Sequence, residues 1–110
     1  MKQGEVWMTH FHPVQGSEQA GRRPAVIVSG NALNDAATIC IVCPLTTVIK
    51  LYPGSVVVRG NMKSGHKKDS EVLSSQIRVI SKSRLKKRLG IVSGDDIREI
   101  ISGINDVLTL

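Results

Sequence analysis

Aromatic side chains are nearly missing from this chain: of 110 residues only Trp7, Phe11 and Tyr52 carry a ring, which excludes a binding surface of several stacked aromatics. Any grip on a nucleic acid must then rest mostly on charge and hydrogen bonds. No stretch approaches the roughly 20 apolar residues of a membrane span, and Met1-Lys-Gln-Gly-Glu5 lacks the apolar core of a signal peptide. These absences predict a cytoplasmic protein that engages no membrane. Acidic residues are the minority charge, nine against fifteen Lys and Arg. The net charge of +6 favours an anionic partner, nucleic acid or acidic protein, unless it serves solubility alone. No internal repeat or glycine-rich phosphate loop is visible.

Cysteine is scarce too, with two residues. Cys40 and Cys43 form a C-x-x-C spacing, which can mark a redox pair or half a zinc site. They lie inside Thr38-Ile-Cys-Ile-Val-Cys-Pro44, an apolar β-branched run that predicts a buried strand. An odd separation along a strand sends the two side chains to opposite faces. A redox pair needs a helix N-terminus to lower the thiol pKa, and a zinc site needs further ligands. The pair reads as packed thiols, with no metal or cofactor expected.

What is present fits one domain over 1–110, a length with room for a single core. Strand composition recurs over 5–11, 24–29, 38–44, 55–59 and 71–80, the last bent near Ser74 and Ser75, with an exposed edge strand over 85–91. Residues 13–21 are polar and glycine-punctuated, as an exposed loop would be. The period then changes. Ile97, Ile100, Ile101, Ile104, Val107 and Leu108 repeat as one helix face, and Ser93 ahead of Asp95 and Asp96 supplies a start signal near Gly94. The fold class expected is mainly β with α: a small curved antiparallel sheet or partial barrel with a C-terminal helix packed on it.

Chemistry concentrates in the loop that ends at Arg23-Pro24, which carries Glu18, Gln19, Arg22 and Arg23. Proline biases Arg23 toward extended backbone, so its guanidinium is held at a strand entrance. There it can clamp a phosphate with two parallel hydrogen bonds, or pair with Glu18 on the surface. Pro44-Leu-Thr-Thr47 ends the third strand and brings Thr46, Thr47 and Lys50 toward a loop, where the hydroxyls can meet a phosphate oxygen or satisfy loop backbone. By period two Gln76 and Arg78 share a strand face and could grip RNA or a neighbouring carboxylate. His10 and His12 flank Phe11, and His12 is a candidate for proton transfer. The run Lys82-Ser-Arg-Leu-Lys-Lys-Arg88 reads equally as a solvated face or an RNA track.

Taken in order, Gly4-Glu-Val-Trp7, Gly16-Ser-Glu-Gln-Ala-Gly21, Arg23-Pro24, Pro44-Leu-Thr-Thr47, Tyr52-Pro53, Gln76-Ile-Arg78 and Lys82-Ser-Arg-Leu85 resemble the MazF/PemK toxin endoribonucleases over nearly the whole chain. The resemblance implies an SH3-like partial barrel. It also implies a homodimeric toxin that cuts single-stranded RNA without metal and is silenced by a small acidic antitoxin. In that family the RNA 2′-hydroxyl attacks its own phosphate, leaving a cyclic phosphate and a free 5′-hydroxyl. Carried over by motif, Arg23 and Thr46 are the main active-site residues and Glu18 the loop glutamate. Gln19, Arg22, Thr47, Lys50, Gln76, Arg78 and His12 are expected to contact RNA. Ser75 stands where several relatives have an acidic residue, which leaves the general base open among Glu18, His12 and Arg23 acting with water. A same-fold toxin that binds a protein such as gyrase, or a noncatalytic RNA-binding module, is the alternative; intact Arg23 and Thr46 count against both.

Overall fold

A computed structural model describes residues 1–11, 21–60 and 68–109. Within them the chain forms β1 (Glu5–His10), β2 (Arg22–Ile27), α1 (Asn31–Ala36), β3 (Ile39–Thr46), β4 (Val56–Val58), β5 (Ser70–Val72), β6 (Arg78–Ser81), β7 (Leu85–Ile91) and α2 (Gly94–Leu108). Every strand pairing is antiparallel, in the order β4-β5-β3-β2-β1-β7, with β6 also on β3. The path does not close among the described residues: β4 and β7 are its two ends. Register shifts between Val6 and Trp7 and between Met8 and Thr9 interrupt the β1–β7 ladder, and such irregularities increase local twist.

The long central strand β3 changes partner along its length. Residues 39–42 pair with β6, whereas Leu45 and Thr46 pair with β5. Pro44 falls between the two ladders, where a missing N–H interrupts neither, and its carbonyl still accepts from the Leu73 N–H at 2.9 Å. The strand expected over 71–80 with a bend near Ser74 and Ser75 does turn there, but the bend is a full break: a 3-10 turn at Ser74–Gln76 separates two strands. Switching from the end of β3 back toward its start requires that break. Helix α1 had no sequence signal, because a six-residue helix is too short to show an apolar stripe. A buried polar side chain holds it instead: Asn34 Nδ2 donates to the Ser29 carbonyl at 2.9 Å.

Apolar layers cover both faces of the sheet. One joins Val6, Val26, Cys43, Leu45, Val58 and Val72 to Ile100 and Ile104 of α2; the other gathers Phe11, Ala25, Ile27, Cys40, Val42, Ile80 and Leu85. Cys40 and Cys43 therefore do lie on opposite faces. Burial raises both thiol pKa values, that of Cys43 to about 12, which keeps the sulfurs protonated and unreactive.

Ser93 caps α2 by accepting from the Asp96 N–H at 3.0 Å. The inward stripe is narrower than the sequence pattern: Ile97, Ile100 and Ile104 join the core, while Ile101 is exposed and Leu108 is 70% exposed. Two glycines bring the helix directly against a turn. Tyr52-Pro-Gly-Ser55 forms a tight turn, with the Ser55 N–H on the Tyr52 carbonyl at 3.0 Å and Gly54 at φ +77, as a type II turn requires. A Cβ on Gly103 would lie 2.0 Å from the Gly54 oxygen, so helix and turn meet backbone to backbone.

Candidate active site

Strands β2 and β3 pair as Ala25 with Pro44, Val26 with Cys43 and Ile27 with Val42. The ladder ends there, two residues short of Arg23 on β2 and of Thr46 on β3. Both line a cleft of about 460 Å³, together with Arg22, Thr47, Lys68 and Ser70, over a floor of Pro24 and Leu45. Three cations, Arg22, Arg23 and Lys68, and the hydroxyls of Thr46 and Thr47 thus line it around a small apolar base, while the Ser70 hydroxyl donates to the Lys68 carbonyl at 3.2 Å. Among the described residues no hydrogen bond or ion pair engages the Arg23 guanidinium. An anion the size of a phosphate is the ligand that such a donor-rich cleft, with no carboxylate among its described lining residues, accepts.

Thr46 ends β3, and its Oγ1 accepts the Val48 N–H at 3.1 Å. The bland reading of this threonine, that it satisfies loop backbone, is therefore present. Accepting a bond leaves the hydroxyl proton free to donate, so the same side chain can serve a phosphoryl oxygen.

Behind Thr46 stands Glu71, its directly opposite partner in the β3–β5 ladder. Glu71 is fully buried. Its Oε1 accepts the N–H groups of Lys50 and Leu51 at 2.7 and 3.1 Å, and its Oε2 that of Tyr52 at 2.8 Å. Burial opposes ionisation, but these three N–H groups, with the Ser55 hydroxyl near the carboxylate, outweigh it and hold the carboxyl at about 2. The ionised form is the one that fits a shell made of donors. Leu51 adopts φ +57 there, a conformation that costs a residue with a side chain roughly 1–2 kcal/mol and persists where its surroundings impose it.

The fold brings together Arg22, Arg23, Thr46 and Thr47 and leaves Lys50, Gln76 and Arg78, among the described candidates, outside the cleft lining. Gln76 and Arg78 do not share a strand face, since Gln76 ends the 3-10 turn and Arg78 begins β6. Arg78 instead lies over the Phe11 ring, 5.1 Å from its centroid. Lys50 meets Glu71 through its backbone, with its side chain exposed. His12, Glu18 and Gln19 fall outside the described residues. Sequence reasoning passed over Lys68 and Ser70; the basic run around His66 was the available signal, but only the β3–β5 pairing directs its end to the cleft. In the run 82–88 three cations have structural partners. Lys82 donates to the Asn34 carbonyl, Arg84 to the carbonyls of His10 and Phe11, and Arg88 to Glu5. Among the described residues, no three His, Cys, Asp or Glu side chains converge as a metal site would need, and no helix is long and apolar enough to cross a membrane.

Comparison with known proteins returns the same family as the motifs. The family model for the PemK-like, MazF-like toxin of type II toxin–antitoxin systems matches residues 2–108. Endoribonuclease MazF of Staphylococcus saprophyticus is 37% identical, across all of this chain and 92% of its own. The endoribonuclease toxin MazF of Escherichia coli K12 is 35% identical, over 93% of this chain and 88% of its own. Among solved structures, MazF from Deinococcus radiodurans superposes with a TM-score of 0.80 at 27% identity, covering 100% of this chain and 97% of that one. A MazE–MazF complex from the same organism matches at 0.75 and 25%, covering 100% and 96%. With the family model matching residues 2–108 and relatives 35–37% identical over most of both chains, the chain belongs to the PemK-like, MazF-like toxins of type II toxin–antitoxin systems.

Proposed function

We propose that the chain, acting over its full 1–110 length as one domain, is an endoribonuclease toxin that cleaves single-stranded RNA in the cytoplasm. The observation that carries this reading is the meeting of Arg23 and Thr46, from neighbouring strands, in a cleft lined also by Lys68 and, among the described residues, by no carboxylate. Relatives named as endoribonucleases, 33–37% identical over most of the chain, support the activity.

Arg23 and Lys68 hold the scissile phosphate, and the Thr46 hydroxyl donates to a non-bridging oxygen. The RNA supplies its own nucleophile: the 2′-hydroxyl attacks the adjacent phosphorus, the bond to the 5′-oxygen breaks and that oxygen takes a proton from water, and a 2′,3′-cyclic phosphate and a 5′-hydroxyl remain. What the protein must provide is alignment of the attacking oxygen with the leaving one and donors aimed at the charge that grows on the phosphoryl oxygens. Positive and hydroxyl donors at the ends of two core strands are held in place before substrate arrives. Glu18, His12, or water beside Arg23 takes the 2′-hydroxyl proton. No metal enters this scheme.

The working form is a homodimer, and its inhibitor is an acidic antitoxin, in line with the MazE–MazF complexes of relatives. With a net charge of +6 per chain, the cleft attracts either polyanion, and an acidic antitoxin segment that orders in it excludes RNA.

The test is incubation of the purified protein with end-labelled single-stranded RNA in excess EDTA. Cleavage is expected, with 3′ ends that resist polymerase extension until the cyclic phosphate is removed, and Arg23→Ala should slow it about 10²–10³-fold without a change in melting temperature. Strict dependence on added metal, or near-normal turnover by a folded Arg23→Ala variant, would overturn the assignment.

A further inference from the structure

Loop 47–52 leaves the cleft wall at Thr47 and carries four exposed apolar side chains, Val48, Ile49, Leu51 and Tyr52, with Lys50 as its one charge. None of these side chains is buried in the core, and Val48 and Leu51 are mostly exposed, so side-chain packing alone does not fix the loop. The cleft suits a phosphate, which carries no sequence information; exposed apolar and aromatic groups suit the faces of bases. Three backbone N–H groups of the loop do have a fixed partner, the carboxylate of Glu71. An ionised carboxylate has lone pairs for all three and no proton to clash with them.

We infer that Glu71 is a positioning residue for RNA recognition: from its place opposite Thr46, it pins the backbone of Lys50, Leu51 and Tyr52 so that the loop presents its apolar side chains to the bases flanking the phosphate. The inference rests on the endoribonuclease reading. Glu71 is buried and does not touch substrate; it acts through the loop. A loop held in advance binds without the entropic cost of ordering, so the carboxylate acts on KM and base preference more than on kcat.

Glu71→Gln keeps the shape, removes one acceptor oxygen and turns an N–H₂ toward groups that can only donate. Wild type and variant are compared on a panel of short RNAs that differ at the bases flanking the cleaved bond. Amide exchange at residues 50–52 and sedimentation are measured alongside. The expected result is faster exchange at 50–52, KM raised between about tenfold and a hundredfold, a flatter preference across the panel and kcat changed much less. Should Glu71→Gln fail to fold, one glycine inserted between Ile49 and Lys50, in exposed backbone, keeps the carboxylate and its donors and uncouples them from β3. The same KM pattern is expected. Unchanged KM and preference in a folded variant overturn the inference, as does a defect confined to kcat. Weakened self-association with KM intact also overturns it, by making the loop a protein interface. Failure of the wild type on every RNA counts against the endoribonuclease reading itself, whereas failure of the inference shows only in the variants.

Discussion

Thr46 and Glu71 stand directly opposite each other on β3 and β5. One lends its hydroxyl to the cleft, and the other holds the loop that follows that hydroxyl in sequence. Opposite residues of an antiparallel pair point to the same face, so donor and anchor belong to one row of the sheet. Arg23, on β2, lines the same cleft as Thr46.

Thr46→Val should lower kcat, because it removes the hydroxyl proton offered to the phosphate while keeping the shape. The lost bond from the Val48 N–H is solvent-exposed, so the stability change should stay within roughly 1 kcal/mol. Thr46→Ser should retain most of the activity. Steady-state kinetics and thermal melts of both variants check this; collapse of the fold in Thr46→Val would return the residue to a structural role.

Lys68→Ala should weaken RNA binding with little effect on base preference, since an ammonium in the cleft contacts phosphate rather than bases. The slope of log affinity against log salt should shrink by about 0.7, the share of one single-strand phosphate contact. Lys86→Ala, on the exposed face of β7, should leave that slope near its wild-type value. Titrations of an uncleavable RNA at several salt concentrations give both numbers.

The Glu71 carboxyl titrates at about 2 in the folded chain against about 4.5 for an ordinary glutamate. Because the folded value is the lower one, the unfolded chain takes up the proton first as pH falls. The stabilisation is thus complete above about pH 5 and lost progressively toward pH 2. Denaturant unfolding should show stability declining through that window. In Glu71→Gln the decline should be shallower and the whole curve lower. An identical slope in the variant would show that other carboxylates carry the acid sensitivity.

Gly103→Ala should destabilise more than an ordinary helix substitution, because its Cβ would run into the Gly54 backbone rather than a movable side chain. Overpacking of this kind typically costs 1–3 kcal/mol, against the fraction of a kcal/mol that alanine gains over glycine in an open helix. A melting temperature equal to or above wild type would mean that helix and turn separate easily.

Local pattern alone carried much of this molecule. Alternating β-branched runs predicted the strands, the Ser93 signal and isoleucine spacing predicted α2, and the odd separation of Cys40 and Cys43 placed them on opposite faces. Each depends on residues a few positions apart, whose relation backbone geometry imposes. The resemblance to the toxin family likewise singled out Arg23 and Thr46. Long-range pairing decided the rest. Nothing within residues 71–80 says that β3 needs two partners, yet that demand breaks the run at Ser74–Gln76 and sends Arg78 to Phe11 instead of the cleft. Lys68 and Ser70 reach the cleft because β5 pairs with the end of β3, and Glu71 becomes a buried anchor because a loop some twenty residues earlier folds its N–H groups over it. A charged residue in a strand is written in sequence as polar and therefore outward. Only the donors that the tertiary fold brings to it make burial of its charge favourable.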